Sequence, residues 1–330
     1  MKLKNANKIL IIRLSSLGDI LLTTPITRAI KTAFPKIQID FLVKDKYSDV
    51  YKYNPMINKL FLYKSESVVG FILELKKNNY DFVIDLHNNF RSREIIRKLK
   101  LSVVKYKKHN LKKFLFVKFK LNLLKALKSI PERYAECIPK ITLDEYGLDL
   151  FIPHSIKPKL NEKEKYIGIC PGSRHFSKRY PKEYFIELSK MLIQTGYKIV
   201  LFGGKDDMML CNEISNEIQS AINLSNEDDL LLTAADMKHC KAIICNDSGL
   251  MHTATATKTP VAVFYGSTVR EFGFFPYNSE NIIFENNSIS CRPCSHIGLN
   301  KCPKKHFKCM KELTPKRIFN DLENFIKCYE

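Results

Sequence analysis

The sequence predicts an α/β protein built on parallel sheets with helices on both faces. Three observations carry this. Short apolar runs of strand length alternate with amphipathic stretches, the rhythm of β-α-β units. The rhythm restarts after residues 151–165, a stretch holding Pro153, Pro158 and a charged run, which reads as an interdomain linker. Ser/Gly-rich or basic loops follow several strands, and open parallel sheets bind ligands at the carboxyl ends of their strands.

In the first half, residues 9–12 read as a buried strand, followed by a Ser/Gly loop and a helix over about 19–34. Strands are expected at 37–43 and 82–86, with a helix over 68–79 between them, and Val103 and Val104 mark one more strand. In the second half, 166–170, 198–202, 241–245 and 261–265 read as strands, and 182–195, 206–219 and 248–257 as helices. The expectation is two similar domains, 1–155 and 156–330, with a cleft between them.

Composition narrows the class. The chain has 330 residues, long enough for two domains. With 45% hydrophobic and 27% charged residues, wholesale disorder is excluded. A net charge of +20 fits a polyanionic partner or a lysine-rich solvated surface. No apolar run reaches membrane-spanning length. The polar start leads straight into a strand without a signal-peptide core, so a cytoplasmic location is expected. There, ten cysteines are expected as thiols or clustered metal ligands rather than disulfides.

Residues 91–128 stand apart. Lys112, Lys113, Lys118, Lys120, Lys125 and Lys128 interleave with Phe114, Leu115, Phe116, Phe119, Leu123 and Leu124. Such a segment suits an anionic membrane surface, or an ordinary helix that buries one face and solvates the other.

Three loops carry the chemistry. In the first, residues 13–20, Gly18 permits a tight turn and Asp19 opens a helix, as a routine cap or as a general base facing the cleft. The chain has neither G-x-G-x-x-G nor a Walker A pattern, against a dinucleotide-binding dehydrogenase or a P-loop NTPase. The second, residues 171–181, offers Gly172, Ser173, Arg174, Lys178 and Arg179, a composition suited to a diphosphate. Pro181 is placed in the first turn of the next helix. In the third, residues 246–252, Asp247 or Ser248 can cap a helix, Gly249 admits a ligand to the backbone, and His252 lies one turn along. Free N–H groups at that helix start make an anion site.

The three loops, in this order, resemble glycosyltransferase family 9, the bacterial ADP-heptose:lipopolysaccharide heptosyltransferases. The matching stretches are 13–25 (RLSSLGDILLTTP), 85–93 (DLHNNFRSR), 171–181 and 246–252 with the helix and strand that follow. The resemblance implies a GT-B fold, two Rossmann-like domains facing across a cleft. The acceptor belongs to the N-terminal domain and the nucleotide-sugar to the C-terminal one. In such folds the final helix, about 315–328, commonly crosses back to the first domain.

The implied reaction is inverting, metal-independent transfer of heptose from ADP-heptose onto a lipopolysaccharide inner-core acceptor, with no catalytic cofactor. Asp19 matches the catalytic base. Lys178 matches the lysine that neutralises the diphosphate. Ser173, Arg174, Asp247, Ser248, Gly249 and His252 fall on the donor side. Asp207 falls, in a loose alignment, near the ribose. Ser16, Gly18 and Arg91 fall on the acceptor side. Tyr180 stands where the family often has Trp, and the chain has no Trp. A lipid-anchored acceptor implies peripheral association with the anionic cytoplasmic face of the inner membrane, and no nucleic acid as partner. The competing readings are a GT-B enzyme for another nucleotide-sugar, whether a transferase for a different surface glycan or an epimerase, and a basic nucleic-acid-binding protein.

Cys291 and Cys294, with Cys302 and Cys309 downstream, are a candidate structural zinc set, weighed against unmetallated thiols and, behind both, a redox disulfide.

Overall fold

The structure is a computed structural model that describes residues 3–63, 68–124 and 127–329. Lys125 of the basic run, and Met1, Lys2 and Glu330, lie outside the described residues. The chain divides into two compact units, Met1–His109 with Lys128–Phe151, and Asn110–Leu127 with Ile152–Glu330. The sequence reading put all of 1–155 in one domain. The structure groups Asn110–Leu127 with the second unit because Phe116 packs there on Phe272 and Val269.

The first unit contains β1 (Lys8–Ile12), α1 (Leu17–Leu21), α2 (Thr24–Ala33), β2 (Gln38–Lys44), α3 (Asp49–Lys52), β3 (Lys59–Tyr63), α4 (Val68–Lys76), β4 (Phe82–Asp85), α5 (Phe90–Leu99) and β5 (Val103–Lys105). After the excursion of α6 (Asn110–Phe119) into the second unit, α7 (Ile130–Ala135) returns to the first. Its sheet has the order β3-β2-β1-β4-β5, and every pair is parallel. β1 is central, with Ile9 facing Ile39 on one side and Phe82 on the other. Its residues Ile9 to Ile12 are fully buried, as expected of an apolar, isoleucine-rich run covered on both faces.

The second unit contains β6 (Tyr166–Cys170), α8 (Lys182–Gln194), β7 (Lys198–Leu201), α9 (Met208–Glu217), β8 (Ile222–Asn223), α10 (Leu230–Met237), β9 (Cys240–Asn246), α11 (Gly249–Ala256), β10 (Val261–Tyr265), β11 (Asn281–Glu285), α12 (Lys308–Lys311) and α13 (Pro315–Lys327). Its all-parallel sheet runs β11-β10-β9-β6-β7-β8. Phe185, Leu188 and Leu192 of α8, Ile214 of α9 and Ile318, Leu322 and Ile326 of α13 fill one face. Met237 of α10 and Met251 and Ala254 of α11 pack on the other.

Strand order reverses between β1 and β4 in the first sheet and between β6 and β9 in the second. These are the topological switch points, where helices leave on opposite faces and open a crevice at the strand ends. Residues 13–19 and 86–89 occupy the first switch point, and residues 171–181 and 247–249 the second.

Two local expectations are corrected. The single helix over 19–34 is two, α1 and α2. Pro25 has no N–H to continue the ladder, and the Thr23 and Thr24 hydroxyls donate to the Ile20 and Leu21 carbonyls at the break. Pro181 is the residue before α8, with extended ψ, and not its first helical residue.

Candidate active site

At the first switch point, Arg13 leaves β1 and is almost fully buried. Its Nη1 donates to the Leu86 carbonyl (2.6 Å), its Nε to the Ser15 carbonyl (3.0 Å), and its Nη2 meets Asp19 Oδ1 at 2.5 Å. The guanidinium lies 5.9 Å from the centre of the Tyr134 ring. The other Asp19 oxygen accepts from the Ser16 N–H (3.1 Å) and hydroxyl (2.7 Å). Burial by itself would raise the Asp19 carboxyl. The Arg13 charge and the Ser16 donors outweigh it and hold the group below the usual carboxylate value. Asp19 is therefore an anion at neutral pH, with 20% of its side chain open to solvent. Gly18 is buried inside α1 and has no left-handed backbone, so it does not make the tight turn expected of it. Residues 14–16 carry the chain from β1 to α1 instead.

The loop after β4 is organised by Asp85, which is fully buried. Its carboxylate accepts from the His87 and Asn88 N–H groups and the Ser92 hydroxyl, while Asn89 caps α5. His87 was not singled out from the sequence. Its Nε2 is 2.5 Å from the Asn89 amide, and its Nδ1 is buried with no hydrogen-bond partner. Burial, with Arg13 and Lys108 nearby, pushes His87 down to about 3, so it stays neutral. Arg91 lies exposed on α5, apart from this network.

At the second switch point, Asn246 at the end of β9 joins two loops. Its Oδ1 accepts the Tyr180 N–H (2.8 Å) and its Nδ2 donates to the Pro171 carbonyl (2.8 Å). The Lys178 ammonium lies 2.8 Å from Asp247 Oδ2, which also accepts from the Thr268 hydroxyl (2.7 Å). Ser173 is buried, and its hydroxyl donates to the Asp247 carbonyl (3.3 Å) while its own carbonyl accepts from Arg179 Nε (2.7 Å). Ser248 precedes α11 but does not cap it. Its hydroxyl is buried and has no hydrogen-bond partner. Gly249 starts α11, and His252 is buried one turn along. Arg174 is exposed.

Asp207 leans onto the same loop. A Cβ at Gly172 would lie 2.1 Å from the Asp207 carboxyl, so a larger residue there would require that carboxylate to move. Burial raises the Asp207 carboxyl, although Arg179 opposes this. Tyr180 fills an apolar place, stacked on Phe264 at 3.8 Å with its hydroxyl on the Leu313 carbonyl. Thr268 and Arg179 complete the constellation. Arg179 stood in a quoted motif, whereas Thr268, distant in sequence, gave no signal.

The cysteine-bearing segment packs behind these loops. The Ser177 N–H donates to the Leu299 carbonyl, and the Ser177 hydroxyl meets Ser267 Oγ and accepts the Leu299 N–H. Arg292 is buried and donates to the Gly266, Asn286 and Thr268 carbonyls and to Glu285. Cys291 Sγ is 3.8 Å from His306 Nε2, and the Cys294 thiol donates to the Cys291 carbonyl. Burial raises the Cys294 thiol and pushes Cys309 up to about 11. Among the described residues no three His, Cys, Asp or Glu side chains are arranged to hold a metal ion, so the four thiols do not form the expected tetrahedral set in this structure.

Two doubly wound parallel sheets, each with a polar site at its switch point, define a GT-B architecture. The chain belongs to glycosyltransferase family 9 (heptosyltransferase), whose family model matches residues 68–305. It is 24% identical over 357 aligned positions to lipooligosaccharide heptosyltransferase 2 of Haemophilus ducreyi, covering 97% of this chain and 100% of that one. It is 29% identical over 197 positions to lipooligosaccharide heptosyltransferase 2 of Campylobacter jejuni serotype O:2, where the match takes in 57% of this chain and 60% of that protein's length. The structure of E. coli ADP-heptose lps heptosyltransferase II superposes with a TM-score of 0.75 at 22% identity, over 97% of this chain and 98% of that one.

Proposed function

We propose that the protein transfers a heptose from ADP-heptose to a sugar hydroxyl of a lipopolysaccharide inner-core acceptor, with inversion and without a catalytic metal. The observation that carries this is the second switch point. A lysine held by a buried aspartate, the start of α11 and an unpartnered buried serine hydroxyl meet where a diphosphate would lie. The substrates follow the names of the relatives, lipooligosaccharide heptosyltransferases and an ADP-heptose enzyme.

In the proposed reaction the acceptor oxygen attacks the anomeric carbon, the bond from that carbon to the phosphate oxygen breaks, and its electron pair leaves with ADP. Asp19 takes the acceptor proton. Arg13 makes Asp19 a weak base, which suffices because the hydroxyl becomes strongly acidic only as its new bond forms. An ammonium has three donors, so Lys178 can keep Asp247 and still meet the diphosphate as charge builds on the leaving group. Ser173, Gly249 and Ser248 lie on the same side, and Asp207 and His252 complete the donor pocket. Arg174 and Arg91, both exposed, supply charge toward the two substrates. Peripheral attachment to the cytoplasmic face of the inner membrane belongs to the same proposal. No helix of the described residues is long and apolar enough to cross a membrane.

Structural zinc at Cys291, Cys294, Cys302 and Cys309 is a separate proposal. Binding would have to displace thiol protons that burial holds on and draw the four sulfurs together. Metal analysis of protein purified without chelator tests it, and less than stoichiometric zinc removes it.

The deciding experiment incubates the chain with ADP-heptose and a Kdo–lipid A acceptor in excess EDTA. Mass spectrometry should find an acceptor heavier by one heptose, and NMR should find the opposite anomeric configuration to the donor. Turnover only with a UDP-sugar, or only with added divalent metal, overturns the assignment.

A further inference from the structure

α6 is built inside out. It buries Lys113 and Phe116 and turns Leu111 (70% exposed), Phe114 (51%) and Phe119 (55%) outward. Leu121, Leu123 and Leu127 follow, also exposed. Six of the fourteen exposed large hydrophobic residues among the described residues therefore fall within 17 positions. Scattered apolar residues on a surface need no explanation, but a contiguous patch does. The patch is anchored. The Lys120 ammonium donates to the carbonyls of Val117, Cys291 and Pro293, and Phe116 sits against Phe272.

Charge says what covers it. No Asp or Glu occurs between Glu94 and Glu132, and Lys112, Lys118 and Lys120 are exposed along the patch. The Lys118 ammonium stands 5.5 Å from both the Phe114 and the Phe119 rings, so its stem runs beside the apolar side chains and its charge rides above them. A second copy of this chain would bring like charge against like. A nucleic acid would call for stacking aromatics with arginine, whereas leucine outnumbers phenylalanine here and no arginine lies between Arg97 and Arg133. Leucines and phenylalanines rimmed by lysines match a bilayer with anionic headgroups, with the apolar groups entering the acyl boundary and the ammonium groups at headgroup level.

We infer that the outer face of α6, with Leu121 and Leu123, inserts into an anionic lipid surface. This deepens the peripheral attachment of the proposed function and rests on that reading only for which membrane is meant. It adds that contact is apolar as well as electrostatic and comes from the unit that carries the donor loops.

The test uses the full chain and vesicles of phosphatidylcholine with 30% phosphatidylglycerol, or of phosphatidylcholine alone. The wild type should sediment with the anionic vesicles, and part of that binding should survive 0.5 M salt. Replacing Phe114 and Phe119 together by Ser leaves every charge in place and should weaken partitioning by about tenfold or more. Because the chain has no Trp, F114W gives a single reporter whose emission should shift to the blue with anionic vesicles. An unshifted F114W, or Ser variants that bind as the wild type does, overturns the inference. So does sedimentation as a dimer that the Ser variants abolish, or tighter binding to DNA than to vesicles. ADP titration of the same proteins reads the donor site without any membrane, so failure of this inference and failure of the transferase assignment are separable.

Discussion

Asp19 illustrates how two neighbours set the chemistry of one side chain. Replacing it by Asn keeps its shape and removes its charge. Turnover should fall by about 10²- to 10⁴-fold while ADP affinity, measured calorimetrically, stays within twofold. Turnover near wild type would remove Asp19 from the reaction. Arg13→Gln takes away the charge that lowers the Asp19 carboxyl. In the proposed reaction activity requires the carboxylate, so the acid limb of the kcat/KM profile should move to higher pH in the variant. A limb that does not move means another group titrates there. The same pair contributes to stability with a definite sign. The folded carboxyl lies below its unfolded value, so the contribution is present above the unfolded value and is lost as pH falls through the folded one. On the proposed donor side, Lys178→Ala should raise the KM for ADP-heptose and leave the KM for acceptor unchanged. Equal changes in both would place Lys178 elsewhere.

At the scale of the element, the proposed donor loop between β6 and α8 depends on what stands behind it. Gly172 faces the Asp207 carboxyl so closely that a methyl there would have to push the carboxylate aside. Gly172→Ala should lower the melting temperature and weaken ADP binding, and Asp207→Ala in the same chain should restore much of the stability, because it vacates the space. Additive losses would mean that the two residues do not compete for one volume. The central strands were legible because they are apolar on both faces, and 166–170 and 261–265 match β6 and β10 residue for residue. β3, β8 and β11 were missed. All three are edge strands, with partly exposed patterns that resemble loops. The loops were legible as motifs, and Asp19, Lys178, Ser173 and Asp247 do lie at the switch points. Their partners were less so, since Arg13 to Leu86 and Asp247 to Thr268 are pairings between distant stretches that no local pattern encodes. The inverted burial of α6 was also hidden, because composition alone does not tell which face a helix turns inward.

Taken whole, the molecule repeats one device: each unit winds its sheet in both directions from a central strand and gathers polar groups at the reversal. The two sets of groups differ in kind. The first offers an ionised carboxylate and the second a lysine and a helix start, so nucleotide should act on the second unit. ADP at a hundredfold excess over its Kd stabilises what it binds by about 2.7 kcal/mol. In scanning calorimetry the transition of the second unit should move upward with ADP, in EDTA as in its absence. A shift confined to the first unit's transition would reverse the assignment of donor and acceptor sides.

The passage of the chain between the units has a practical sequel. The backbone leaves the first unit at His109, returns at Lys128 and leaves again at Phe151, so the units share three covalent crossings. A protease cut in residues 152–165 severs only one of them. The nicked protein should still elute as a single species, its N-terminal fragment moored by α6 in the pocket of Val269 and Phe272. A recombinant fragment ending at Phe151 would carry that helix without its berth, and excising the first unit cleanly would require replacing Asn110–Leu127 with a short turn.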